Sequence, residues 1–278
     1  MSESKVHSCL FPVAGYGTRF LPITKSIPKE MIPIMSKPLI QFAVEEANEA
    51  NILEMVMVIS SSKEVIKDYF QQNTTIEKSI QGSPKENLLA DLNKIIFSSS
   101  FSYVYQNQML GLGHAIAQGK ELLGDQSFAV ILPDDLCINQ SGKSVISQLI
   151  SLHEQYPECS IIAVEEVQKN EVHNYGIIDG VNLYNNSNVI RVSNMIEKPN
   201  IDEAPTNLAI IGRYILTPDI FKILNSTKQD SNGEIQITDA LMQMAMDNKV
   251  LALKFEGNRY DCGNPEGFSK AFDAFKKM

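Results

Sequence analysis

The sequence predicts an α/β protein with a mixed, mostly parallel sheet flanked by helices, and two observations support this. Short apolar runs alternate along the chain with longer stretches of helical period, which is typical of parallel strands joined by helical crossovers. The apolar run at residues 128–132 leads directly into Pro133-Asp134-Asp135. Such a run is typical of a strand buried on both faces, and ligands of α/β sheets gather beyond the carboxyl ends of strands.

The elements follow in order from these patterns. Residues 38–50 place Leu39, Phe42 and Val44 largely along one helical face, which predicts an amphipathic helix. The same reasoning predicts strands at residues 9–14, 55–60, 101–106, 128–132 and 250–255, and helices at residues 38–50, 63–71, 114–123, 145–155, 218–224, 237–248 and 265–277. Residues 73–93 are polar and mixed, and Gly82-Ser-Pro84 predicts a turn before a short helix. Residues 160–214 alternate less regularly, and we interpret them as an inserted sheet region.

The composition excludes several classes of function. The chain has 278 residues, of which 44% are hydrophobic, and a formal net charge of −9. This charge argues against general affinity for nucleic-acid backbones or anionic membranes. The four cysteines form no C-x-x-C pair, so neither a zinc ribbon nor a disulfide framework is indicated. No apolar stretch approaches the roughly 18 residues of a membrane span, and the polar start at residues 1–5 is unlike a signal peptide. We therefore expect a cytoplasmic protein.

A glycine-rich loop follows the first predicted strand. In Gly15-Tyr-Gly-Thr-Arg19, the glycines allow backbone N–H groups to approach an anion, and basic side chains neutralise phosphate charge. Phe20 occupies the position of the third glycine in a dinucleotide fingerprint, so that motif fails. Taken alone, such a loop is more often an ordinary surface loop. The loop and Asp134 are both expected at the carboxyl ends of strands, along one rim of the sheet.

The wider pattern resembles a known family. Gly15-x-Gly-Thr-Arg19, Pro28-Lys-Glu-Met31 and Lys37-Pro38 closely resemble the signature of sugar-1-phosphate nucleotidylyltransferases, which join a nucleotide to a sugar phosphate. Similar segments follow in the family's order over nearly the whole chain, at residues 106–115, 132–135, 175–176, 197–199, 212–214 and 260–263. The resemblance implies a Rossmann-like nucleotidyltransferase fold with one domain over residues 1–278. Its nucleotide-binding part is about 1–135, and its sugar-binding and assembly part, with the inserted sheet region, is about 136–278.

The resemblance also implies roles for the matching residues. The catalytic residues are Arg19 at the departing pyrophosphate, Lys29 at the α-phosphate and Lys198 at the sugar phosphate. Asp134 and Asp261 are the ligands of the cofactor Mg²⁺, although either could equally cap a helix. Asp135 is a cap or an indirect support, and His114 is structural. The nucleotide-binding residues are Ala14, Gly15, Gly17, Thr18, Lys25, Gln106 and Gly111, and the sugar-phosphate-binding residues are Gly176, Glu197, Lys198 and Gly212.

Within the family, the segments look most like those of bacterial members that use UTP and glucose 1-phosphate. Their products are UDP-glucose and pyrophosphate, formed by direct attack, and they commonly assemble as homo-oligomers, either dimers or tetramers. A relative that uses dTTP or another hexose 1-phosphate remains an alternative. So does a catalytically silent nucleotide-sugar sensor, although a sensor has less need of groups that stabilise transition-state charge. An NAD-dependent dehydrogenase is a third alternative, weakened by Phe20.

Overall fold

The computed structural model of the protein describes residues 6–183 and 188–277, so the polar start at residues 1–5 lies outside the described residues. Its strands are β1 (Ser8–Pro12), β2 (Pro33–Ile34), β3 (Lys37–Pro38), β4 (Glu54–Ile59), β5 (Ser100–Tyr105), β6 (Phe128–Ile131), β7 (Asp135–Ile138), β8 (Ser160–Glu166), β9 (Gly176–Asn182), β10 (Val189–Glu197), β11 (Leu208–Leu216), β12 (Val250–Lys254) and β13 (Asn258–Asp261). Its α-helices are α1 (Leu39–Glu49), α2 (Glu64–Tyr69), α3 (Thr74–Ile80), α4 (Ala90–Ser98), α5 (Gly111–Gln118), α6 (Lys120–Leu123), α7 (Val145–His153), α8 (Asp219–Leu224), α9 (Ile237–Met246) and α10 (Pro265–Phe275).

One sheet organises the molecule. It has nine strands in the order β5-β4-β1-β6-β11-β8-β12-β10-β9. The strands from β5 to β6 pair in parallel, as do β8 and β12, whereas the other neighbours pair antiparallel. The mixed α/β architecture is confirmed, and parallel pairing is concentrated in the first half of the sheet. The strands within residues 160–214 belong to this same sheet and extend it.

Around strand β1 the sheet is buried on both faces. Cys9 and Phe11 pack into the core on one face and Leu10 packs into the core on the other, and none of the three is exposed. Helices α1, α2 and α7 contribute to the first core, and helices α5, α8 and α9 to the second. A strand covered on both faces needs apolar side chains at every position. This explains the continuous apolar runs from which β1 and β6 were predicted.

The carboxyl ends of four strands share one edge of the sheet. Because β1, β4, β5 and β6 run parallel, the loops that follow them emerge at the same edge of the sheet. Strand β6 pairs with the second half of β11, and β9 pairs with the first half of β11. Strand β9 therefore starts beyond the carboxyl end of β6. This topology carries Gly176 towards the edge that already holds Gly15 and Asp134.

Three local features differ from the sequence prediction. Residues 73–93 contain helix α3 and the start of α4, which the apolar pattern hardly marks because α3 has no buried residue. Asn73 caps α3 by accepting a hydrogen bond from the backbone of Ile76 at 3.1 Å. The helix expected over residues 114–123 begins at Gly111 and is divided at Gly119 into α5 and α6. The antiparallel pair β7–β13 joins segments more than 100 residues apart, which periodicity does not reveal.

Candidate active site

The glycine-rich loop at residues 15–19 packs against Lys29 at Gly17. Gly17 has φ of 64°, a left-handed conformation that favours glycine. A Cβ atom at Gly17 would lie 3.2 Å from the Cβ atom of Lys29, so the loop also needs the absence of a side chain there. Ala14 is buried, whereas Gly15, Thr18 and Lys25 are exposed. The loop therefore presents an accessible backbone next to several basic groups.

Lys29 pairs directly with Asp134. The Lys29 ammonium donates a short hydrogen bond to Oδ2 of Asp134. Burial disfavours the charge of Lys29, but attraction to Asp134 and Glu30 outweighs burial and raises the pKa of Lys29. Burial likewise opposes the charge of Asp134, but the Lys29 ammonium outweighs it and lowers the pKa of this carboxyl. Both groups are therefore charged near neutral pH.

Three predicted site residues converge near Gly263. A Cβ atom at Gly263 would lie 2.9 Å from Oδ1 of Asp261 and 3.2 Å from both Oδ2 of Asp134 and Nη1 of Arg19. Arg19 also donates a hydrogen bond to the Gly263 carbonyl at 3.2 Å. Neither aspartate caps a helix, since Asp134 lies in the turn before β7 and Asn264 caps α10. The structure thus brings together two carboxylates from positions 127 residues apart in the chain.

The donor set at this point fits Mg²⁺. Carboxylate oxygens are hard ligands, and Mg²⁺ in nucleotide enzymes is often held by one or two carboxylates together with substrate phosphates. Among the described residues, no group of three His, Cys, Asp or Glu side chains is arranged to hold a metal. Asp134 and Asp261 would therefore need phosphate oxygens to complete the coordination. Arg19 and Lys29 lie beside them, where their positive charges would neutralise such phosphates.

A buried polar network holds the loop that carries Asp134. Arg213 on β11 is 1% exposed, and its guanidinium donates to Oε2 of Glu46 on α1 at 2.7 Å and to the Leu132 carbonyl at 3.1 Å. Asp135 accepts the backbone N–H of Gly212 at 2.7 Å. Asp135 is thus an indirect support, as expected, and opens a strand rather than capping a helix.

Gly212 is packed tightly at this network. A Cβ atom at Gly212 would lie only 2.5 Å from Cβ of Leu132, so a larger residue would push the Asp134 loop outward. The backbone N–H of Gly212 is already donated to Asp135. The geometry gives Gly212 a structural role, and its contact with a sugar phosphate stays a prediction.

Lys198 and its neighbours form the predicted sugar-phosphate side of the site. Lys198 follows β10, has φ of 45°, and donates its backbone N–H to the carbonyl of Tyr175 at 2.9 Å. The Lys198 side chain is 52% exposed and its ammonium lies 3.2 Å from Oε1 of Glu197. Thr238 donates its hydroxyl hydrogen to Oε2 of Glu197 at 2.6 Å. Gly176 lies opposite Glu197 in the β9–β10 register, so these predicted residues are neighbours.

Gln106 and Gly111 lie at the turn between β5 and α5. Gln106 is 4% exposed, and its amide nitrogen donates to the Gly111 carbonyl at 3.3 Å and to Nδ1 of His114 at 2.8 Å. Burial lowers the pKa of His114, which suits a neutral, structural imidazole. Ile235 donates its backbone N–H to Leu110 at 2.8 Å and braces this turn. The side chain of Gln106 here supports the turn, and its role at the nucleotide base stays a prediction.

A cleft of about 750 Å³ opens beside these groups. Its lining includes Arg19, Lys198 and Asp261, and it continues towards Tyr175 and the first turn of α10. The cleft therefore connects the pyrophosphate side of the predicted site with the sugar-phosphate side.

In the part of the chain that the structure describes, no helix has the length and apolar character that a membrane span needs.

Sequence reasoning missed Arg259. Its side chain is 6% exposed and contacts Asp135 and Glu165, each at 2.5 Å. The sequence could have indicated Arg259 by its position two residues before Asp261, because residues two apart in a strand share a face. Arg259 and Asp261 both lie in β13 and therefore point to the same side.

Comparison with protein families places the chain among known proteins. The family model described as nucleotidyl transferase matches residues 13–277. A protein of Pseudomonas aeruginosa named UTP--glucose-1-phosphate uridylyltransferase is 50% identical over 96% of this chain and 94% of that protein. A protein of Staphylococcus saprophyticus named UTP--glucose-1-phosphate uridylyltransferase 2 is 42% identical over 96% of this chain and 90% of that protein.

Solved structures give the same answer. A crystal structure of apo UDP-glucose pyrophosphorylase aligns with a TM-score of 0.94 and 54% identity, covering 98% of both chains. A UDP-glucose pyrophosphorylase complexed with UDP-glucose aligns with a TM-score of 0.91 and 52% identity, covering 98% of this chain and 99% of that one. The family resemblance predicted from the sequence is therefore confirmed, and the chain belongs to the nucleotidyl transferase family.

Proposed function

We propose that this protein transfers a uridylyl group from UTP to α-D-glucose 1-phosphate and releases pyrophosphate. The observation that carries the proposal is the convergence of Arg19, Asp134 and Asp261 near Gly263, with Lys29 bonded to Asp134. Two carboxylates and two cations at the end of a glycine loop suit a nucleoside triphosphate and its metal. The choice of UTP and glucose 1-phosphate is supported by the names of relatives up to 50% identical over 96% of the chain.

The reaction is a direct displacement. A phosphate oxygen of glucose 1-phosphate attacks the α-phosphorus of UTP and forms the new P–O bond. The bond from the α-phosphorus to the bridging oxygen breaks, and its electron pair leaves with pyrophosphate. The attacking phosphate oxygen is already deprotonated near neutral pH, so the step needs no general base. The chemistry therefore depends mainly on bringing two anions into line and stabilising their charge.

The residues of the chain divide this work. Lys198 binds the phosphate of the sugar and is accessible for it, since its side chain is 52% exposed. Lys29 stabilises the α-phosphate, and Arg19 stabilises the departing pyrophosphate. Backbone N–H groups of the loop around Gly15 and Gly17 hold the remaining phosphates, with Lys25 nearby as a further cation. Glu197 accepts hydrogen bonds from sugar hydroxyls.

Asp134 and Asp261 would hold Mg²⁺ in this proposal. The bound ion supplies Lewis-acid stabilisation of the phosphate oxygens during transfer. The Lys29 ammonium is bonded to Oδ2 of Asp134. Lys29 therefore keeps this carboxylate ionised and ready for a divalent cation, and it is placed next to the phosphates once they arrive.

The test is pyrophosphate release by the purified protein with Mg²⁺. Five nucleotides (UTP, dTTP, CTP, ATP and GTP) are each paired with the 1-phosphates of glucose, galactose, mannose and N-acetylglucosamine. We expect turnover confined to UTP with glucose 1-phosphate.

A different preferred pair would overturn the substrate assignment while leaving the reaction type intact. Folded protein that binds nucleotide but releases no pyrophosphate with any pair would overturn the enzyme assignment and favour a nucleotide-sugar sensor. The homo-oligomer and the cytoplasmic location implied by the sequence stay predictions.

A further inference from the structure

Asp261 is held from one side by two residues that the proposed reaction does not use. The hydroxyl group of Tyr175 donates a hydrogen bond to Oδ2 of Asp261 at 3.3 Å. The guanidinium of Arg259 lies 3.8 Å from the same oxygen and 5.1 Å from the centre of the Tyr175 ring. The other oxygen, Oδ1, accepts the backbone N–H of Gly263 at 2.9 Å. The orientation of this carboxylate is therefore determined from both ends.

Arg259 is itself fixed by further carboxylates. It donates to Asp135 at 2.6 Å through Nε and to Glu165 at 2.5 Å through Nη1. A planar guanidinium bonded at two edges has little freedom to rotate. Asp135 follows Asp134 directly, and it lies opposite Asp261 in the β7–β13 register. One guanidinium thus connects the segments that carry both of the carboxylates assigned to the metal.

Tyr175 also reaches the sugar-phosphate side. Its carbonyl accepts the backbone N–H of Lys198 at 2.9 Å. The side chain of Tyr175 therefore acts on Asp261, while its backbone acts on Lys198. These two effects can be separated by substitution, because Tyr175→Phe removes the hydroxyl group and leaves the backbone and ring.

We infer that Tyr175 and Arg259 are positioning residues that hold Asp261 in the orientation needed to bind the divalent cation. This inference rests on the proposed function, in which Asp261 is a metal ligand. A ligating carboxylate is oriented by its own hydrogen-bond partners, and loss of such a partner typically weakens metal binding by about 10- to 100-fold. Tyr175 and Arg259 act through Asp261 and make no contact with the transferred group in this proposal.

The first measurement is Mn²⁺ binding to the full-length protein with saturating UDP-glucose, followed by the electron paramagnetic resonance signal of free Mn²⁺. We expect Tyr175→Phe to weaken Mn²⁺ binding by about tenfold. The Mg²⁺ concentration for half-maximal activity should rise with it, while the KM for glucose 1-phosphate stays unchanged because the bond to Lys198 is kept. Tyr69→Phe is the matched control, since that hydroxyl bonds Gln41 at 2.5 Å between α1 and α2. It should leave Mn²⁺ binding unchanged.

A second variant tests Arg259. Arg259→Lys keeps the positive charge but loses the planar fork, and it should weaken Mn²⁺ binding more than Tyr175→Phe does. Should Arg259→Lys fail to fold, Tyr175→Phe still decides the inference, because its hydroxyl group lies at the edge of the cleft.

The double variant separates this inference from the proposed function. If Tyr175 acts through Asp261, adding Tyr175→Phe to Asp261→Asn causes no further loss of Mn²⁺ affinity. Wild-type Mn²⁺ binding by Tyr175→Phe, with weakened binding by Asp261→Asn, would overturn the positioning role and leave the proposed function intact. Unchanged Mn²⁺ binding by Asp261→Asn would overturn the metal assignment and this inference with it.

Discussion

The two sides of the cleft are built in different ways. On the glycine-loop side, Gly15, Arg19 and Lys29 come from one continuous segment between β1 and α1. On the Lys198 side, Tyr175 precedes β9, Glu197 ends β10 and Thr238 lies in α9, and these segments meet through antiparallel pairing and side-chain contacts. A continuous loop can be arranged by local backbone geometry. An assembled site depends on the register of every strand that contributes to it.

The two sides also differ in charge environment. Lys29 is bonded to Asp134. Attraction to Asp134 and Glu30 raises the pKa of Lys29 by more than burial lowers it. Lys198 is half exposed, and its ammonium lies 3.2 Å from Oε1 of Glu197. In the proposed reaction, the glycine-loop side would therefore be preorganised for highly charged phosphates, and the exposed Lys198 would be open to an incoming substrate. Asp261 lines the same cleft as Arg19 and Lys198, and it meets Asp134 near Gly263.

The largest effect is expected for Arg213→Met. Arg213 lies on β11 and bonds both Glu46 and the Leu132 carbonyl, so it joins β11 to helix α1 and to the loop that carries Asp134. Leaving Glu46 buried without its partner should reduce the free energy of unfolding by about 3–5 kcal/mol. Urea denaturation measures this loss. Glu46→Leu combined with Arg213→Met should recover most of it, and equal stability of the single and double variants would contradict the role of the pair.

Asp134→Asn should have the next largest effect, on turnover. The substitution removes one of the two carboxylates near Gly263 and the partner of Lys29. We expect kcat to fall by about 100- to 1000-fold, the usual loss when one preorganised electrostatic group is removed. Steady-state kinetics over a range of Mg²⁺ concentrations measure it. Asp179→Asn, which alters a carboxylate on β9, is the control, and wild-type activity of Asp134→Asn at limiting Mg²⁺ would exclude Asp134 as a ligand.

Lys198→Ala should affect one substrate selectively. Hydrogen bonds to charged groups contribute about 1.5–3 kcal/mol, which corresponds to a rise of about 10- to 100-fold in the KM for glucose 1-phosphate. The KM for UTP should stay near its wild-type value, because Lys198 lies on the other side of the cleft. Initial-rate measurements with each substrate varied in turn provide the test. A parallel rise in both KM values would show that the two sides do not act separately.

The smallest effect is expected for Gly15→Ala. A Cβ atom at Gly15 meets no other atom within 4 Å, so the free energy of unfolding should not fall. If backbone N–H groups of this loop approach the phosphates of UTP, the added methyl group should raise the KM for UTP by about tenfold or less. Kinetics and thermal unfolding on the same preparation check both parts. Gly82→Ala in the turn after α3 is the control for the kinetics only: its φ of 75° makes alanine cost stability there, but the KM for UTP should stay at its wild-type value.

Much of the fold was predictable because its strongest signals are local. The apolar runs at residues 9–14 and 128–132 indicated β1 and β6, since a strand buried on both faces must be apolar throughout. Helix α3 was not predicted, because it buries no residue and so has no apolar stripe. The pair β7–β13 was missed as well, since short strands from distant parts of the chain carry no common period.

In the candidate site, too, local motifs were predictable from the sequence and long-range contacts were not. The glycine loop, Asp134 and Asp261 were recognised from motifs whose residue types have a direct chemical reason. Arg259 and Thr238 act through their contacts with carboxylates, and only the fold brings those contacts about. Gln106 was predicted to be a site residue, but its burial and its bond to Gly111 are visible only in the structure.

By itself the sequence determined the α/β class, the family and the order of the segments that are predicted to bind phosphates, because these depend on residue type and on spacing within short stretches. Tertiary structure decided the rest. It brought Asp134 close to Asp261 and placed the start of β9 beyond the end of β6. It also paired Arg259 with Asp135. All of these contacts join residues far apart in the chain. Such contacts are selected by burial and strand register over the whole sheet, and no local pattern encodes them.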